Sequence, residues 1–289
     1  MDENYGKLYI VATPIGNSRD MSERGKQILS DADIIAAEDT RRSMILLNKL
    51  EIKNKLVSNH KFNEFGKAKH FISELKEGKN IAVITDAGTP CISDPGNELI
   101  KAAIEEGIKV VGIPGCCAFV TALSISGFDL SSFLFYGFFP RENADRKKLL
   151  EKMRKGDTKT FAFYESPLRI MSLVDFFIEQ NAKVKMCLGN DLTKLHEMTF
   201  RGTPDEVKQQ LLLKGNYEKG EYAVVVELED EYIFNKVEHI VSPEAMLVDE
   251  MVKGLSAKEA VSAVMDNENN SYSKNELKTA ALNLKKLFG

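Results

Sequence analysis

The feature that most constrains the fold is a series of short apolar segments, each followed by turn residues and then by a helical pattern. In the clearest case the apolar run Ile81–Ile84 is followed by residues 86–90, which include a glycine and a proline. A short continuous apolar run is typical of a strand that is buried on both faces of a parallel sheet. Similar runs at residues 7–12, 34–37 and 108–113 alternate with helical patterns. This alternation predicts an α/β domain built on a parallel sheet.

Turn residues or clustered charges stand at the carboxyl ends of these four predicted strands. The loops concerned are residues 13–17, 38–42, 86–90 and 114–117. Ligands bind at the carboxyl ends of strands in open α/β sheets, so these loops predict a ligand site at one edge of the sheet. For residues 80–96 a plain strand, turn and helix is the simpler interpretation. Asp94 followed by Pro95 predicts an N-capped helix with proline at its first position.

The rest of the chain predicts a second α/β unit and a helical tail. We expect α/β domains at residues 1–116 and 117–230, and a helix-turn-helix-like tail at 243–289. The tail carries six lysines against seven acidic residues. Its charge therefore does not favour nucleic-acid binding, and a packing or dimerisation module is the stronger interpretation. Residues 141–155 carry seven basic residues against three acidic ones, which fits a solvated surface helix and an RNA-phosphate patch about equally.

Composition excludes several classes of protein. At 289 residues, with 43% hydrophobic and 28% charged residues, the chain matches a globular protein with an ample core. Its net charge of −4 means that any contact with RNA must come from local patches. The four cysteines lack a C-x-x-C spacing and the four histidines do not cluster, which predicts reduced thiols and no metal site. Without a signal segment or an apolar stretch of ~20 residues, the chain is expected to be cytoplasmic and outside the membrane.

Common nucleotide-binding and hydrolase motifs are absent from the sequence. There is no G-x-x-x-x-G-K-[ST] P-loop, and no G-x-G-x-x-G follows the first predicted strand. A G-x-S-x-G nucleophile elbow and an H-E-x-x-H zinc motif are also missing. From the residues alone, the prediction is therefore a two-domain α/β protein with a ligand cleft at strand ends and a small helical tail.

Seven short motifs follow one another between residues 13 and 221. They are TPIGN at 13–17, AEDTR at 37–41, DAGTP at 86–90, PG at 114–115, FYESP at 163–167, LTK at 192–194 and KGE at 219–221. In this order they resemble the 16S ribosomal RNA ribose 2′-O-methyltransferases of the tetrapyrrole methylase superfamily. The resemblance covers residues 6–228, and the tail is similar to the C-terminal helix-turn-helix domain of that family.

The resemblance implies a tetrapyrrole-methylase-like fold (class III methyltransferase) with two α/β domains and a small C-terminal helical domain. It implies a homodimer that binds S-adenosylmethionine between the two domains and methylates a cytidine ribose of 16S ribosomal RNA in the small ribosomal subunit. Carried over by position, the implied cofactor contacts are Pro14, Gly16, Asp86, Ala87, Gly88, Thr89, Pro90, Ile92, Ser93, Pro114, Gly115, Cys116, Cys117, Tyr164 and Ala223. Gly88 is expected to allow close approach of the backbone to the cofactor.

Methyl transfer to a ribose hydroxyl needs alignment of the reacting atoms and a base that removes the hydroxyl proton. The candidate bases are Glu38, Asp39 and Glu165, with His60 and Lys194 as weaker alternatives. For Glu38 and Asp39, capping of the following helix is an equally good interpretation. Glu165 has the alternative role of holding its loop by accepting backbone N–H bonds. The candidate RNA contacts are Arg41, Arg42 and Lys194.

Three departures from the family pattern put the transfer of some roles in question. Cys116–Cys117 replaces a proline and a small residue, Leu168 replaces a histidine, and Asn190–Asp191 replaces an arginine and a glutamate. They leave open a ribosome-assembly factor without catalytic activity. A second alternative is a superfamily member that methylates a tetrapyrrole. The motifs TPIGN and EDTR resemble the RNA branch, which disfavours the tetrapyrrole substrate.

Overall fold

A computed structural model describes residues 4–59, 64–229, 242–267, 270 and 272–288. His60, a weaker candidate base, lies outside the described residues. The chain divides into two compact units, Met1–Tyr232 and Ile233–Gly289. The first unit holds two five-stranded sheets, and the described part of the second is helical. The boundary predicted between two α/β domains at residues 116 and 117 falls in the connection between the sheets and stays a prediction.

The first sheet is parallel, as the alternation of strands and helices predicts. Its strands are β1 (Leu8–Val11), β2 (Ile34–Ala37), β3 (Leu56–Ser58), β4 (Ile81–Ile84) and β5 (Val110–Ile113), in the spatial order β3-β2-β4-β1-β5. The helices are α1 (Glu23–Asp31), α2 (Thr40–Lys49), α3 (Glu64–Lys76) and α4 (Asn97–Glu105). One apolar core lies under α3 and α4 and another under α1 and α2, so β2 and β4 are buried on both faces. Because all five strands run in the same direction, their carboxyl ends meet at one edge.

Helix α4 does not begin where the sequence predicts. It starts at Asn97 with Gly96 at the N-cap and no side-chain cap, so the prediction of an Asp94 N-cap with Pro95 at the first helical position is wrong. Gly96 has a φ of +133°, a backbone conformation that suits glycine, and this turn delays the start of the helix. Asp94 therefore lies in the loop that precedes the helix.

The second sheet is mixed. Its strands are β6 (Phe133–Phe138), β7 (Thr160–Glu165), β8 (Val184–Asn190), β9 (Met198–Gly202) and β10 (Tyr222–Leu228), in the order β6-β7-β10-β8-β9. Strands β6 and β7 are parallel, and the other neighbouring pairs are antiparallel. The helices are α5 (Ala118–Ser124), α6 (Asn143–Lys155), α7 (Ile170–Glu179) and α8 (Pro204–Lys214). Strand β9 is not predicted from the sequence, because its five residues include no continuous apolar run.

The two faces of the second sheet carry side chains of different size. One face packs large residues such as Phe161 and Phe163 against α6, α7 and α8. The other face presents the small side chains of Ala162, Cys187 and Ala223, which pack with α5 and with Ile15 from the loop after β1. The small-residue face is therefore the one that closes against the loops of the first sheet.

Helices α9 (Pro243–Val252), α10 (Ala257–Met265) and α11 (Lys274–Phe288) make up the second unit as described. Its core includes Leu247, Val264 and Leu277. Ser256 and Glu259 form a capping box at the start of α10. The helical prediction for the tail is thus confirmed. Across the described residues, none of the helices combines the length and apolar character needed to span a membrane.

Candidate active site

A cavity of about 340 Å³ lies where the carboxyl edge of the first sheet meets the small-residue face of the second. The residues that line it are Ile15, Ala87, Gly88, Thr89, Ile92, Ser93, Asp94, Cys117, Ala118, Phe138, Tyr164, Glu165, Ser166, Pro167, Leu192, Glu221, Tyr222 and Ala223. This volume falls within the range of small-molecule sites in proteins. The cavity occupies the edge at which the sequence predicts a ligand site.

Gly88 forms part of the first wall of the cavity, and its backbone is already paired. Its N–H donates to the Thr13 carbonyl at 3.0 Å, and its carbonyl accepts from the Thr13 N–H at 2.8 Å. Gly88 has a φ of +83°, and a Cβ there would lie 3.3 Å from Ile15 Cγ2. Glycine is required here by backbone conformation and by packing. The Gly88 N–H is engaged by Thr13, and the close approach of this backbone to a cofactor stays a prediction.

Several of the predicted cofactor contacts support the wall instead of lining it. The predicted contacts outside the lining are Pro14, Gly16, Asp86, Pro90, Pro114, Gly115 and Cys116. A Cβ on Gly16 would lie 2.5 Å from Lys194 Cγ. The neighbouring Asn17 N–H donates to the Thr193 hydroxyl at 3.2 Å. Gly16 therefore allows the loop after β1 to pack closely on the loop after β8, which joins the two halves of the first unit.

The second wall is built on Tyr164. This residue lies on β7 opposite Ala223 of β10, whose small side chain leaves space for a ligand. Burial raises the pKa of the Tyr164 hydroxyl, which also hydrogen-bonds the Cys117 thiol. Burial likewise raises the pKa of Cys117. Both groups are therefore uncharged near neutral pH, and they offer a ligand hydrogen bonds and apolar surface.

Three carboxylates gather around Thr85 at the carboxyl edge of the first sheet. The Thr85 hydroxyl donates to Glu38 Oε2 at 2.6 Å, and the Asp86 N–H approaches the same oxygen at 3.4 Å. The Asp94 side chain lies within hydrogen-bond reach of the Thr85 side chain. Burial, followed by the charge of Glu38, raises the pKa of Asp94 and that of Asp86. In the described part of the chain no group of three or more His, Cys, Asp or Glu side chains is arranged to hold a metal ion.

Asp94 is the carboxylate of this group that lines the cavity. Its charge adds to the effect of burial on the pKa of Tyr164, which places the two groups within electrostatic reach of each other. Glu38 and Asp86 do not line the cavity. Asp94 is therefore the acid of this cluster that a bound ligand would meet.

Glu165 borders the cavity, but its side chain lies on the other face of the sheet. Side chains alternate along β7, so Tyr164 faces the cavity whereas Glu165 shares the face of Phe163 and the large-residue core. The Glu165 side chain is fully buried, and its Oε1 pairs with Arg169 at 2.6 Å. The same oxygen accepts from the Ser166 N–H at 2.6 Å. This geometry fits the loop-holding role of Glu165 and not a base that touches substrate.

The start of helix α2 carries one candidate base and two candidate RNA contacts. Asp39 is the N-cap, and its Oδ1 accepts from the Arg41 N–H at 2.8 Å, which confirms the capping interpretation. Arg42 pairs with Asp86 at 3.1 Å while 72% of its side chain stays exposed. Arg41 is exposed as well. Both arginines are thus accessible to an anionic partner beside the carboxyl edge of the sheet.

Lys194, the third candidate RNA contact, is held by two acids. Its ammonium group lies 2.7 Å from Asp191 Oδ1 and 2.9 Å from Glu221 Oε2. Asn190 is buried, and its amide donates to the carbonyls of Lys219 and Glu221 at 3.4 and 3.3 Å. The Asn190–Asp191 pair therefore tethers the loop after β8 to the start of β10. The arginine and glutamate of the family pattern do not predict this structural role.

Part of the lining is absent from the sequence-based prediction of cofactor contacts. The additional residues are Ile15, Asp94, Ala118, Phe138, Glu165, Ser166, Pro167, Leu192, Glu221 and Tyr222. Six of them belong to the seven motifs, so membership of a motif is a usable signal for Ile15, Glu165, Ser166, Pro167, Leu192 and Glu221. Phe138 has no such signal, because its place in the cavity depends on a local irregularity of strand β6.

Comparison with known proteins finds relatives over most of the chain. A family model of tetrapyrrole (corrin/porphyrin) methylases matches residues 7–208. A protein of Halalkalibacterium halodurans named ribosomal RNA small subunit methyltransferase I is 45% identical over 78% of this chain and 77% of its own length. A protein of the same name from Haemophilus influenzae is 39% identical over 96% of this chain and 96% of its own length.

The fold is similar to that of solved methyltransferases. The uroporphyrin-III-C-methyltransferase of Thermus thermophilus aligns with a TM-score of 0.53 at 19% identity, covering 77% of this chain and 94% of that chain. At this identity the likeness concerns the fold alone. Together with the family match, it confirms the predicted tetrapyrrole-methylase-like fold.

Proposed function

The chain belongs to the tetrapyrrole methylase family and, within it, to the relatives named ribosomal RNA small subunit methyltransferase I, and we propose from this that it methylates 16S ribosomal RNA. The proposed reaction transfers a methyl group from S-adenosylmethionine to the 2′-hydroxyl of a cytidine ribose in the small ribosomal subunit. The observation that supports the proposal best is the cavity at the strand ends, whose lining includes the carboxylate Asp94 and the aromatic Tyr164.

The lining of the cavity fits S-adenosylmethionine. Bound there, the cofactor would supply a methyl group on a positively charged sulfur that is already activated for transfer. Ile15, Leu192 and Ala223 give the cavity an apolar surface that suits an adenine ring. Asp94, when ionised, places negative charge at the same cavity, which favours a cationic ligand over a neutral one, whereas the charge of Glu221 is paired with Lys194.

The chain itself has two tasks in the proposed reaction, alignment and proton removal. The walls confine the reactants, and alignment of this kind removes much of the entropic part of a barrier. We propose that Asp94 accepts the proton of the ribose hydroxyl, because it is the carboxylate of the strand-end cluster that lines the cavity. Its raised pKa makes it a stronger base than an exposed aspartate once it is ionised.

This assignment replaces all three candidate bases taken from the sequence. Asp39 caps helix α2, and Glu165 turns its carboxylate away from the cavity towards Arg169. Glu38 keeps an indirect role, because it accepts the Thr85 hydroxyl bond and its charge contributes to the raised pKa of Asp94. We therefore assign Glu38 as a positioning residue for Asp94.

Arg41 and Arg42 are the proposed contacts for RNA phosphate. Both are exposed at the start of α2, and the planar guanidinium group matches phosphate geometry. Lys194 is a weaker candidate, since Asp191 and Glu221 already engage its ammonium group.

We further propose that the protein acts as a homodimer in the cytoplasm, where ribosomal subunits are assembled. Strand β6 is an edge strand of the second sheet, and it exposes Phe133 and Leu134. An apolar edge strand of this kind is a surface that proteins commonly cover. A second copy of the chain is the proposed cover.

One experiment tests the proposed function against two alternatives. The alternatives are a tetrapyrrole methylase and a ribosome-assembly factor without catalytic activity. Purified protein is incubated with S-adenosylmethionine and with small subunits from cells that lack it, and the ribonucleosides are analysed by mass spectrometry. We expect new 2′-O-methylcytidine in 16S RNA. Because the chain has a net charge of −4, we also expect faster reaction with assembled subunits than with naked RNA.

An unchanged 2′-O-methyl profile contradicts the proposed function. Calorimetry with S-adenosylmethionine then separates the alternatives: retained binding points to another methyl acceptor such as a tetrapyrrole, and absent binding points to a factor without catalytic activity. Equal rates on subunits and naked RNA would contradict the preference for assembled subunits.

A further inference from the structure

Strand β6 changes the face to which its side chains point. Before Gly137, Phe135 packs against Tyr164 on the cavity side, with ring centroids 5.1 Å apart. Tyr136 stacks on Phe163 at 5.8 Å on the opposite, large-residue side. Simple alternation would continue with residue 137 on the cavity side and residue 138 on the core side.

A β-bulge at Gly137 reverses this order. Phe135 pairs with Ala162 and Phe138 with Tyr164, so three steps along β6 match two steps along β7. Gly137 has a φ of +71°, the conformation that a glycine bulge requires. As a result Phe138 meets Tyr164 on the cavity side at 5.9 Å, and it is Phe139 that packs into the core against Phe163 at 5.3 Å.

The bulge leaves Phe138 at the mouth of the cavity with 59% of the residue exposed. Ile92, which also lines the cavity, is 48% exposed, and Leu168 beside the lining residue Pro167 is 77% exposed. Packing of the core does not require exposed apolar side chains at the entrance of a site. Phe139 fills the core position that Phe138 would take if the side chains of β6 alternated without the bulge. Bulges beside active sites commonly re-aim a side chain in this way.

We propose that Phe138 stacks on the base of the nucleotide whose ribose is methylated. The inference rests on the proposed function, because a ribose that reaches into the cavity brings its base to the cavity mouth. Proteins that recognise individual nucleotides commonly stack an unstacked base on an aromatic side chain. Tyr164 contacts Phe138 in an edge arrangement with an interplanar angle of 63°, which leaves ring surface for a base.

The test compares Phe138→Ala, Phe138→Tyr and a control, Ile104→Ala, which removes a 63% exposed apolar side chain from helix α4 outside the cavity. Base stacking contributes roughly 1–3 kcal/mol, so Phe138→Ala should raise KM for small subunits by about tenfold or more. Phe138→Tyr keeps the ring and should stay within about threefold of the wild type, as should the control. Binding of S-adenosylmethionine, measured by calorimetry, should be unchanged in all three.

Binding of the same subunits in the presence of S-adenosylhomocysteine is measured in parallel, because subunit affinity can be determined without turnover. Absence of methylation by the wild type would refute the proposed function. Equal subunit affinity of the wild type and Phe138→Ala would refute stacking, whether or not methylation occurs. An unchanged KM for Phe138→Ala contradicts the proposal. A loss of S-adenosylmethionine affinity also overturns it, because Phe138 would then contact the adenine of the cofactor.

Discussion

Replacing Asp94 with asparagine is expected to lower kcat for methyl transfer at least about 100-fold, the usual contribution of a positioned base. Asparagine has nearly the same shape but cannot accept the hydroxyl proton, while the walls around Gly88 and Tyr164 stay in place. The affinity for S-adenosylmethionine should therefore change much less than kcat. Single-turnover kinetics together with calorimetry measures both quantities.

The pH dependence of the wild type gives an independent check on Asp94. Burial and the charge of Glu38 raise its pKa, so the carboxylate form needed for catalysis is lost at a higher pH than for an exposed aspartate. The rate should fall as the pH drops through this raised pKa. Glu38→Gln removes one cause of the shift, and the acidic limb of the pH–rate profile should then move to lower pH.

Asp94→Asn should also make the protein more stable at neutral pH. A carboxyl group whose pKa is raised by folding binds its proton more tightly in the folded state, so ionisation above the folded pKa costs stability. That cost disappears below the unfolded pKa, near 3.8. The stability gain of the variant, measured by urea unfolding, should be largest near pH 7 and should shrink as the pH approaches 4.

Asp129→Asn is the control for these measurements. Asp129 is exposed and accepts a backbone bond from Ser131 outside the cavity, so its replacement should leave kcat unchanged. Wild-type kcat in Asp94→Asn would rule out Asp94 as the base. A comparable loss in Glu38→Gln without any change in Asp94→Asn would transfer the role to Glu38.

Gly88→Val is expected to weaken the binding of S-adenosylmethionine by roughly 100-fold. Valine at a φ of +83° strains the backbone by roughly 1–3 kcal/mol, and its Cβ would press on Ile15 Cγ2 from 3.3 Å. The strain acts on the paired segment of Thr13 and Gly88 that shapes the first wall. A distortion of about 3 kcal/mol in the bound state corresponds to an affinity loss of roughly 100-fold.

Gly107→Val separates strain from the loss of the site. Gly107 has a φ of +71° after helix α4, and a Cβ there meets nothing within 4 Å. Both valine variants strain the backbone and should lose stability in urea unfolding, with an added loss in Gly88→Val from the contact with Ile15, but only Gly88→Val should weaken cofactor binding. Normal binding by Gly88→Val, or equal loss in both variants, would show that the Thr13–Gly88 segment does not shape the cofactor site.

The first sheet can be predicted from the sequence because its strands are buried on both faces. Such strands form continuous apolar runs in the sequence, and the runs at Ile34–Ala37 and Ile81–Ile84 coincide with β2 and β4 to the residue. Strand β9 cannot be found in this way, because five residues of mixed polarity owe their strand conformation to pairing with β8. The start of α4 differs from the prediction because the backbone conformation of Gly96 outweighs the capping preference of Asp94.

The candidate site is predictable as a region and not side chain by side chain. The motifs locate the strand exits, and Ala87, Gly88, Thr89 and Tyr164 do line the cavity. The motif around Glu165 indicates a functional residue, but the orientation of that side chain depends on the alternation of β7. Phe138 lies in the cavity only through the extra residue in β6, which becomes visible once the register against β7 is known.

The exposed rim of Ile92, Phe138 and Leu168 has a consequence for the order of events in each catalytic cycle. A ribosomal subunit seated on this rim would cover the entrance through which small molecules reach the cavity. Under the proposed function, we expect S-adenosylmethionine to enter before the subunit docks, and the spent cofactor to leave only after the methylated subunit has departed. Turnover would follow a compulsory order, in which the rate of subunit exchange limits the rate of cofactor exchange.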